Sequence, residues 1–340
     1  MMFSELRYPI IQAPMAGGVA TSKLAIEVSK NGGLGFLAAG YKTSDVLESE
    51  MKACIEANVL YGVNLFVPSN EMLDEAALKS YKKQLEKDFS MTLPVKEWSD
   101  DEWFEKLALV EKYKVPFVSF TFGCPEKEII EMLHKIGCKI IVTVTNIEEA
   151  RIAYERSANA ICVQGINAGG HRGTFQNTNS LNYEPLHELI IKVKNAVNMP
   201  IIAAGGIMTG QQIKILLIAG ASAVQLGTAF ICCNESGANE VYKRSLIEGH
   251  FQETVLTKTF TGRLARGLSN EFMKKYELQA PNVYPALHYL TQPIRKQALE
   301  NENPQAMSLW AGTGFKMIQA LPVKDLLEKL VEEANFFEKE

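Results

Sequence analysis

Short apolar runs rich in β-branched residues recur along the chain, and amphipathic helix patterns separate most of them. The strand-like runs are YPIIQAP, LGFLAAG, LYGVNLFVP, VPFVSFTFG, CKIIVTVT, AICVQG, MPIIAAGG and SAVQLGTAF. The helical patterns include TSKLAIEVSKNG, TSDVLESEMKACIEAN and NIEEARIAYERS. Runs that are apolar on both faces indicate parallel strands buried on two sides. Eight such strands alternating with helices predict an α/β fold of the TIM (β/α)8 barrel type.

Two regions interrupt the alternation and predict a small inserted cap domain over the mouth of the barrel. Residues 69–100 are polar and rich in lysine, and residues 234–304 follow the eighth strand. The barrel would then consist of residues 1–68 and 101–233, and C-terminal helices in residues 305–340 would close it. A doubly wound open sheet is the structural alternative, and it would need a reversal of strand order that one sequence cannot reveal.

Composition and charge exclude several classes of function. The 340 residues are 47% hydrophobic and 22% charged, which is ordinary for a globular protein. A net charge of −4 provides no basic surface for a nucleic acid. The chain has no apolar run long enough to span a bilayer and no signal-peptide pattern, so we expect a cytoplasmic protein with no membrane partner. The sequence leaves open whether it forms a homo-oligomer.

The cysteine and histidine spacings give no sign of a metal site. The six cysteines include no CxxC pair, so we expect buried free thiols in a reducing compartment. Neither HxH nor HExxH occurs, and we therefore predict that the protein binds no metal.

The loops that follow the strands form the active site in barrels of this kind. In this chain these loops are rich in small and amide-bearing residues and poor in carboxylates. Small residues let a flat ligand approach the backbone, and amides can hydrogen-bond a heterocycle without carrying charge. The strand-end positions are 13–16, 38–41, 64, 121–123, 164, 169–173, 205–206 and 225–228.

The last two strand-end loops indicate a phosphate site. AAGGI follows the seventh strand and QLGTAF follows the eighth, so glycine N–H groups and a threonine hydroxyl would converge on an anion. No GxxxxGK[ST] is present, and no GxGxxG lies between an early strand and a helix, which argues against P-loop and Rossmann sites. A phosphorylated flat cofactor held by neutral groups points to FMN.

The stretch QGINAGGHRGTF places one imidazole, that of His171, in a glycine-rich loop at the end of a strand. His171 is therefore the best catalytic candidate, because an imidazolium could orient an anion and a neutral imidazole could accept a proton. Arg172 could hold an anion, or it could extend to solvent. The other histidines lie in helix-like runs or in the predicted cap, and we expect surface or packing roles for them: His134, His187, His250 and His288.

Four ordered segments resemble the motifs of class I nitronate monooxygenases, a family formerly called 2-nitropropane dioxygenases. The segments are QAPMAGGVATSKLAIEVSKNGGLGFLAAGY, GVNLF, VSFTFG and AGGHRG. The resemblance implies a TIM-barrel FMN enzyme that oxidises alkyl nitronates with O2 to a carbonyl compound and nitrite. It also suggests propionate 3-nitronate as the substrate. The family loop usually reads EAGGHRG, and here Asn167, which cannot act as a base or an anion, stands where Glu is expected.

The same resemblance and the strand-end positions predict the cofactor contacts. Met15 and its neighbours would lie against the flavin ring, and WAGTG, residues 310–314, would close over the cofactor. The predicted contacts are Ala13, Met15, Asn64, Gln164, Gly169, Gly170, Gly205, Gly206, Gln225, Leu226, Gly227 and Thr228.

Two other functions remain open at this point. An FMN-dependent NAD(P)H oxidoreductase would use the same scaffold, and FMN-type enoyl-acyl carrier protein reductases, which have a similar GGH loop, and quinone reductases are examples. A non-catalytic module that binds a phosphorylated ligand belongs to a different class, and it would leave the histidine unexplained.

Overall fold

The computed structural model describes residues 2–68, 74–95, 99–178 and 181–336. The strands are β1 (Ile10–Gln12), β2 (Gly35–Ala38), β3 (Tyr61–Phe66), β4 (Phe117–Thr121), β5 (Lys139–Val144), β6 (Ala160–Gln164), β7 (Gly170–His171), β8 (Ile201–Ala204), β9 (Ala223–Leu226), β10 (Thr254–Thr257) and β11 (Ala265–Leu268). The helices are α1 (Ser22–Lys30), α2 (Ser44–Glu56), α3 (Glu75–Phe89), α4 (Trp103–Lys112), α5 (Lys127–Lys135), α6 (Ile147–Glu155), α7 (Leu186–Ala196), α8 (Gly210–Ile218), α9 (Thr228–Ile231), α10 (Glu240–Ile247), α11 (Glu271–Tyr276), α12 (Ala286–Glu300) and α13 (Val323–Glu333).

Eight parallel strands form a nearly closed barrel in the order β1-β9-β8-β6-β5-β4-β3-β2. Leu34, just before β2, brings the two ends of the sheet together. Its N–H donates to the Ile10 carbonyl at 3.0 Å, and its own carbonyl accepts from the Gln12 N–H at 2.9 Å. The predicted TIM barrel is therefore confirmed, and the open doubly wound sheet is wrong.

The apolar runs fill both faces of the sheet. Ile10 packs in the layer between the strands and the outer helices, while its neighbour Ile11 packs inside the barrel with Phe36 and Phe117. Because successive side chains point to opposite faces, a strand buried on both sides is apolar along most of its length.

The helices begin and end at the signals that the sequence carries. The hydroxyl of Thr209 accepts from the Gln212 N–H at 3.3 Å, and the Gln212 side chain accepts from the Thr209 N–H at 3.2 Å, so this pair forms a capping box at the start of α8. Gly32, Gly137 and Gly220 follow α1, α5 and α8 with φ of 93°, 88° and 112°. Only glycine adopts these angles without strain, so a glycine at each of these positions lets the helix end there.

A second hydrophobic cluster joins the two regions that were predicted to form the cap. Leu78 and Tyr81 of α3 share this cluster with Phe272 and Tyr276 of α11 and with Leu287 of α12. The Tyr81 hydroxyl also donates to the Thr259 carbonyl at 3.1 Å. Residues 69–73 and 96–98 of the first predicted insertion lie outside the described residues. The division of the chain into barrel and cap segments stays a prediction.

The C-terminal segment returns to the barrel wall, where α13 packs against α1 and α8. All six cysteines are buried free thiols, as predicted. Within the described residues, no helix combines the length and apolar character needed to cross a membrane, and no three potential metal-ligating side chains lie together.

Candidate active site

Asn64 lies at the mouth of the barrel, where β3 and β4 pair. Its Nδ2 donates to Ser119 Oγ at 2.8 Å and to Thr121 Oγ1 at 3.0 Å, so the amide is fixed in one orientation. Asn64 Oδ1 is buried and accepts no hydrogen bond from the described residues. A buried acceptor without a donor costs about 1–3 kcal/mol, so this oxygen is suited to receive a donor from a bound ligand.

Gln164, the last residue of β6, holds the segment that carries the predicted catalytic histidine. Its Nε2 donates to the His171 carbonyl at 2.9 Å, and its Oε1 accepts from the Gly173 N–H at 2.9 Å. Both ends of the amide therefore fix the backbone around His171. The sequence had predicted only a cofactor contact for this residue.

Arg172 points into the protein. Its side chain is 2% exposed, Nη1 donates to the Gly165 carbonyl at 2.6 Å, and Nη2 donates to the Gln164 carbonyl at 3.1 Å. Burial lowers the pKa of the guanidinium to about 10, which keeps it charged near neutral pH. The sequence left open whether Arg172 holds an anion or extends to solvent. The structure supports neither, because the guanidinium lies among carbonyl groups at the end of β6.

His171 was predicted at the tip of a loop, but Gly170 and His171 form the short strand β7. Within a three-stranded sheet, His171 pairs with Ala265 of β11, and Gly170 pairs with Arg266. The following N–H, that of Arg172, donates to the Leu264 carbonyl at 2.8 Å. The predicted cap thus supplies a partner strand that holds the imidazole in place.

The hydrogen bonds of His171 assign its tautomer. Nε2 lies 2.9 Å from Thr261 Oγ1, and the single hydroxyl hydrogen of Thr261 is donated to the Arg263 carbonyl at 3.1 Å. With that hydroxyl donating to the carbonyl, Nε2 donates to Thr261 Oγ1 in the tautomer that carries no hydrogen on Nδ1. Nδ1 makes no hydrogen bond to any of the described residues, so its lone pair is available to a ligand.

The surroundings of His171 favour the neutral imidazole. Burial lowers its pKa to about 3, and the positive charges of Arg263 and Arg295 contribute to the shift. The rings of Trp310, Phe122 and Tyr284 surround it at centroid distances of 5.6, 5.9 and 5.8 Å. Near neutral pH the group is therefore an uncharged hydrogen-bond acceptor at Nδ1.

The loops after β8 and β9 lie where the sequence predicted the phosphate site. Gly205 and Gly206 have φ of 122° and 73°, which favour glycine. Among the described residues, none accepts a hydrogen bond from the N–H groups of these two residues or of Gly227 and Thr228. Four free amides at adjacent strand ends can bind an anion without a charged side chain.

Ala13, Met15 and Gly227 lie together beside these amides. A methyl group placed on Gly227 would be 3.5 Å from Ala13 Cβ and 3.6 Å from Met15 Sδ. The Leu226 side chain packs between the strands and the outer helices, and its carbonyl accepts from the Ala13 N–H at 2.8 Å, so only its backbone reaches this place. Gln225 is half-buried at the end of β9.

The WAGTG segment lies across the same strand ends. The Gly312 N–H donates to Thr228 Oγ1 at 3.0 Å, and the Thr313 N–H donates to the Asn167 carbonyl at 3.1 Å. Gly169 packs so closely on this segment that a methyl group there would lie 2.5 Å from the Gly312 nitrogen. Asn167 contributes its backbone to this contact, while the residue itself is exposed.

Comparisons with known proteins show the family of the chain. Residues 2–333 match the family model described as nitronate monooxygenase. The chain belongs to the nitronate monooxygenase family. It is 38% identical over 337 residues to a probable nitronate monooxygenase of Bacillus subtilis strain 168, covering 97% of this chain and 96% of that protein. It is 40% identical over 346 residues to a probable nitronate monooxygenase of Staphylococcus haemolyticus, with coverage of 97% and 95%.

Two solved structures extend the comparison. A nitroalkane oxidase from Streptomyces ansochromogenes has a TM-score of 0.94 and 41% identity, and the match covers 98% of both chains. FabK from Thermotoga maritima is more distant, with a TM-score of 0.76, 26% identity, and coverage of 98% of this chain and 94% of that one. The resemblance to nitronate monooxygenases is therefore confirmed, and the protein is an enzyme of a flavin-dependent oxidoreductase family.

Sequence reasoning missed several residues of this chain that surround the candidate site. Tyr41 stacks on His288 with ring centroids 3.8 Å apart, and its hydroxyl lies 2.9 Å from that of Tyr284. His288, Thr291 and Arg295 occupy one face of α12 at helical spacing. That polar stripe along the buried side of the helix was the signal that could have identified them.

His171 should also make the stability of the protein depend on pH. Its pKa is about 3 in the folded protein against an ordinary value of 6.5, so between these values the unfolded chain binds a proton that the folded chain excludes. The free energy of unfolding therefore falls as the pH drops, by about 1–2 kcal/mol at pH 5 from this group. Denaturant unfolding of the cofactor-free proteins at pH 7 and pH 5 measures this effect. The free energy of unfolding should fall less between the two pH values in His171→Asn than in the wild type, and equal decreases would contradict the lowered pKa of His171.

Proposed function

We propose that the protein binds FMN and oxidises alkyl nitronates with O2 to a carbonyl compound and nitrite. His171 is the residue that positions the substrate by contact with its ring and accepts the α-proton of a neutral nitroalkane. The observation that carries this proposal is the free Nδ1 of a neutral His171, enclosed by aromatic rings at the mouth of the barrel.

The residues present fit FMN. The free N–H groups of Gly205, Gly206, Gly227 and Thr228 suit its phosphate, since they offer hydrogen bonds at the place where such barrels bind that group. The unpaired Oδ1 of Asn64 suits a donor on the flavin ring. When bound, FMN supplies the electron-accepting ring and the reactivity with O2.

The protein positions the substrate and handles its proton. A nitronate is already deprotonated at its α-carbon, so the protein only has to orient it. The glycines beside His171 leave room for the substrate. A neutral nitroalkane must first lose an α-proton, and His171 Nδ1 is the free base available for it. Thr261 holds the ring by accepting from Nε2, so the free nitrogen keeps one direction. Propionate 3-nitronate is the substrate that we favour among alkyl nitronates.

An FMN-dependent NAD(P)H oxidoreductase is the second candidate, and the similarity to FabK is the observation that favours it. Anaerobic mixing separates the two functions. We expect a nitronate to bleach the flavin absorbance of the FMN-loaded protein, while NADH leaves it unchanged over the same time. Rapid bleaching by NADH without reaction with a nitronate would contradict the proposal. The non-catalytic binding module has no support, because the family is a family of enzymes.

A further inference from the structure

Arg263 is a permanently charged side chain inside the protein. Among the described residues it is the largest fully buried side chain, with 1% exposed, and it lies just before β11. A guanidinium keeps its proton in proteins, so its burial costs free energy unless its donors and its charge are satisfied. The contacts of Arg263 therefore show what the buried charge holds in place.

Arg263 and Gln164 hold alternate backbone groups of the stretch 171–174. Nη2 of Arg263 donates to the Thr174 carbonyl, and Nε lies 3.5 Å from the Arg172 carbonyl, which is a longer contact. Gln164 binds a carbonyl and an N–H group at the two residues in between. Every residue of this stretch, which begins with the candidate histidine, is thus fixed by a side chain from elsewhere in the chain.

Arg263 also contacts Phe122, whose backbone is strained. Phe122 follows β4 directly and has a φ of 74°, in the left-handed region that bulky residues rarely adopt. Such a conformation persists only where the surroundings hold it, and Arg263 Cζ lies 4.2 Å from the centre of the Phe122 ring. The same ring lies 5.9 Å from the His171 ring, at an interplanar angle of 88°. The guanidinium therefore holds an aromatic ring that packs against the imidazole.

The backbone of Arg263 fixes the hydroxyl that binds His171. The Arg263 carbonyl accepts from the Thr261 hydroxyl at 3.1 Å, and Thr261 Oγ1 lies 2.9 Å from Nε2 of His171. The side chain and the main chain of Arg263 thus act on the surroundings of the same imidazole.

We propose that Arg263 is a positioning residue for His171, because it fixes the backbone that follows the imidazole and holds Phe122 against the ring. The proposal rests on the proposed function, in which His171 contacts the substrate. It adds a residue that affects the reaction only through His171. Replacing Arg263 should therefore matter little once His171 itself is gone.

The charge of Arg263 gives a readout that does not depend on turnover. After burial, the charges of Arg263 and Arg295 are what lower the pKa of His171. Tyr284 is a further titratable group whose ring packs against the imidazole, and its hydroxyl stays protonated because burial raises its pKa. Removing the charge of Arg263 should raise the pKa of His171, whereas a lysine at the same position should keep it low.

Arg263→Met and Arg263→Lys separate the charge from the planar guanidinium. NMR of the FMN-loaded proteins with ¹⁵N-labelled histidine measures the protonated fraction of His171 at pH 5, and the signal of His171 is the one missing from His171→Asn. We expect this fraction to rise about tenfold in Arg263→Met, because a nearby charge in a protein changes a pKa by about one unit. In Arg263→Lys it should change less than about twofold.

A double-mutant cycle on turnover of propionate 3-nitronate, with FMN in excess, tests the positioning role. Arg263→Met should lower kcat/KM by roughly 10- to 100-fold, mainly through kcat, because displacing a reacting group by an ångström has an effect of this size. Arg263→Lys should lose roughly tenfold, since an ammonium cannot reproduce the planar fork. Adding Arg263→Met to His171→Asn should cost less than about threefold, because residues that act through one another do not give additive losses.

Arg156→Met is the matched control. Arg156 donates to the Pro125 carbonyl at 3.1 Å, in the same loop after β4 that begins with Phe122, and its side chain is 31% exposed. Its charge is not among those that act on His171. Both kcat/KM and the protonated fraction of His171 should stay within about threefold of wild type, because exposed charges contribute little.

Additive losses in the double variant would overturn the proposal, because Arg263 would then act through another group or through stability. An unchanged protonated fraction of His171 in Arg263→Met would also overturn it. Where Arg263→Met does not fold, Arg263→Lys takes its place in the cycle, and a kcat/KM equal to that of wild type would contradict the positioning role. A wild-type enzyme that oxidises no nitronate would instead be a failure of the proposed function, and the NMR comparison would still test Arg263.

Discussion

Replacing His171 with asparagine is expected to lower kcat/KM for a neutral nitroalkane by about 10²- to 10⁴-fold, the usual contribution of a positioned general base. Turnover of a preformed nitronate should fall by roughly 100-fold, because misplacing a substrate by an ångström has an effect of this size. The expected losses differ between the two substrates because only the neutral nitroalkane has a proton for Nδ1 to accept, whereas both substrates must be oriented.

The flavin itself should stay bound in His171→Asn, since the predicted phosphate contacts are backbone N–H groups of the loops after β8 and β9, which this change of side chain does not remove. Steady-state kinetics with both substrates and a visible spectrum of the purified variant measure these effects. Thr261→Val is the companion variant, because it removes the acceptor that fixes Nε2 and keeps the imidazole. We expect it to lose less activity than His171→Asn. Unchanged turnover in His171→Asn would remove this residue from the chemistry.

The barrel could be predicted from the sequence because its signals are local. A strand such as β5, which is buried along almost its whole length, is apolar on both faces. A helix such as α8 begins after a capping residue, Thr209, and ends before a glycine, Gly220, and both can be recognised in the sequence. The strand-end residues follow from the same reasoning, because parallel strands bring their carboxyl ends to one rim. Asn64 and Gln164 were found in this way.

The partners of His171 could not be predicted, because they come from contacts between distant parts of the chain. Nothing in the AGGHRG stretch indicates that Gly170 and His171 pair with β11, or that the Thr261 hydroxyl fixes the imidazole. Local periodicity reports whether a residue is buried, but it does not report which residue it contacts. Arg172 illustrates the same limit, since its charge lies among backbone carbonyls of β6 that only the folded chain brings within reach.

Gly169→Ala is expected to be the most damaging single methyl addition at the site. The new methyl group would lie 2.5 Å from the Gly312 nitrogen and 2.6 Å from the Ala311 carbonyl carbon, both of them backbone atoms. Overpacking of this kind costs about 1–3 kcal/mol of folding stability. The WAGTG segment must move away from the loop after β6, so the Gly312 N–H would lose its bond to Thr228 Oγ1, and FMN affinity should fall at least tenfold.

Gly170→Ala separates this steric effect from backbone strain. Gly170 has a φ of 75°, but a methyl group there would meet nothing within 4 Å. The substitution should therefore cost only about 1–2 kcal/mol through its backbone conformation. Thermal unfolding of both cofactor-free variants and titration with FMN measure the two effects separately. Equal losses of FMN affinity in Gly170→Ala and Gly169→Ala would contradict this prediction, because the packing of WAGTG on Gly169 would then not explain the weaker binding. Strain in β7 would then be the common cause.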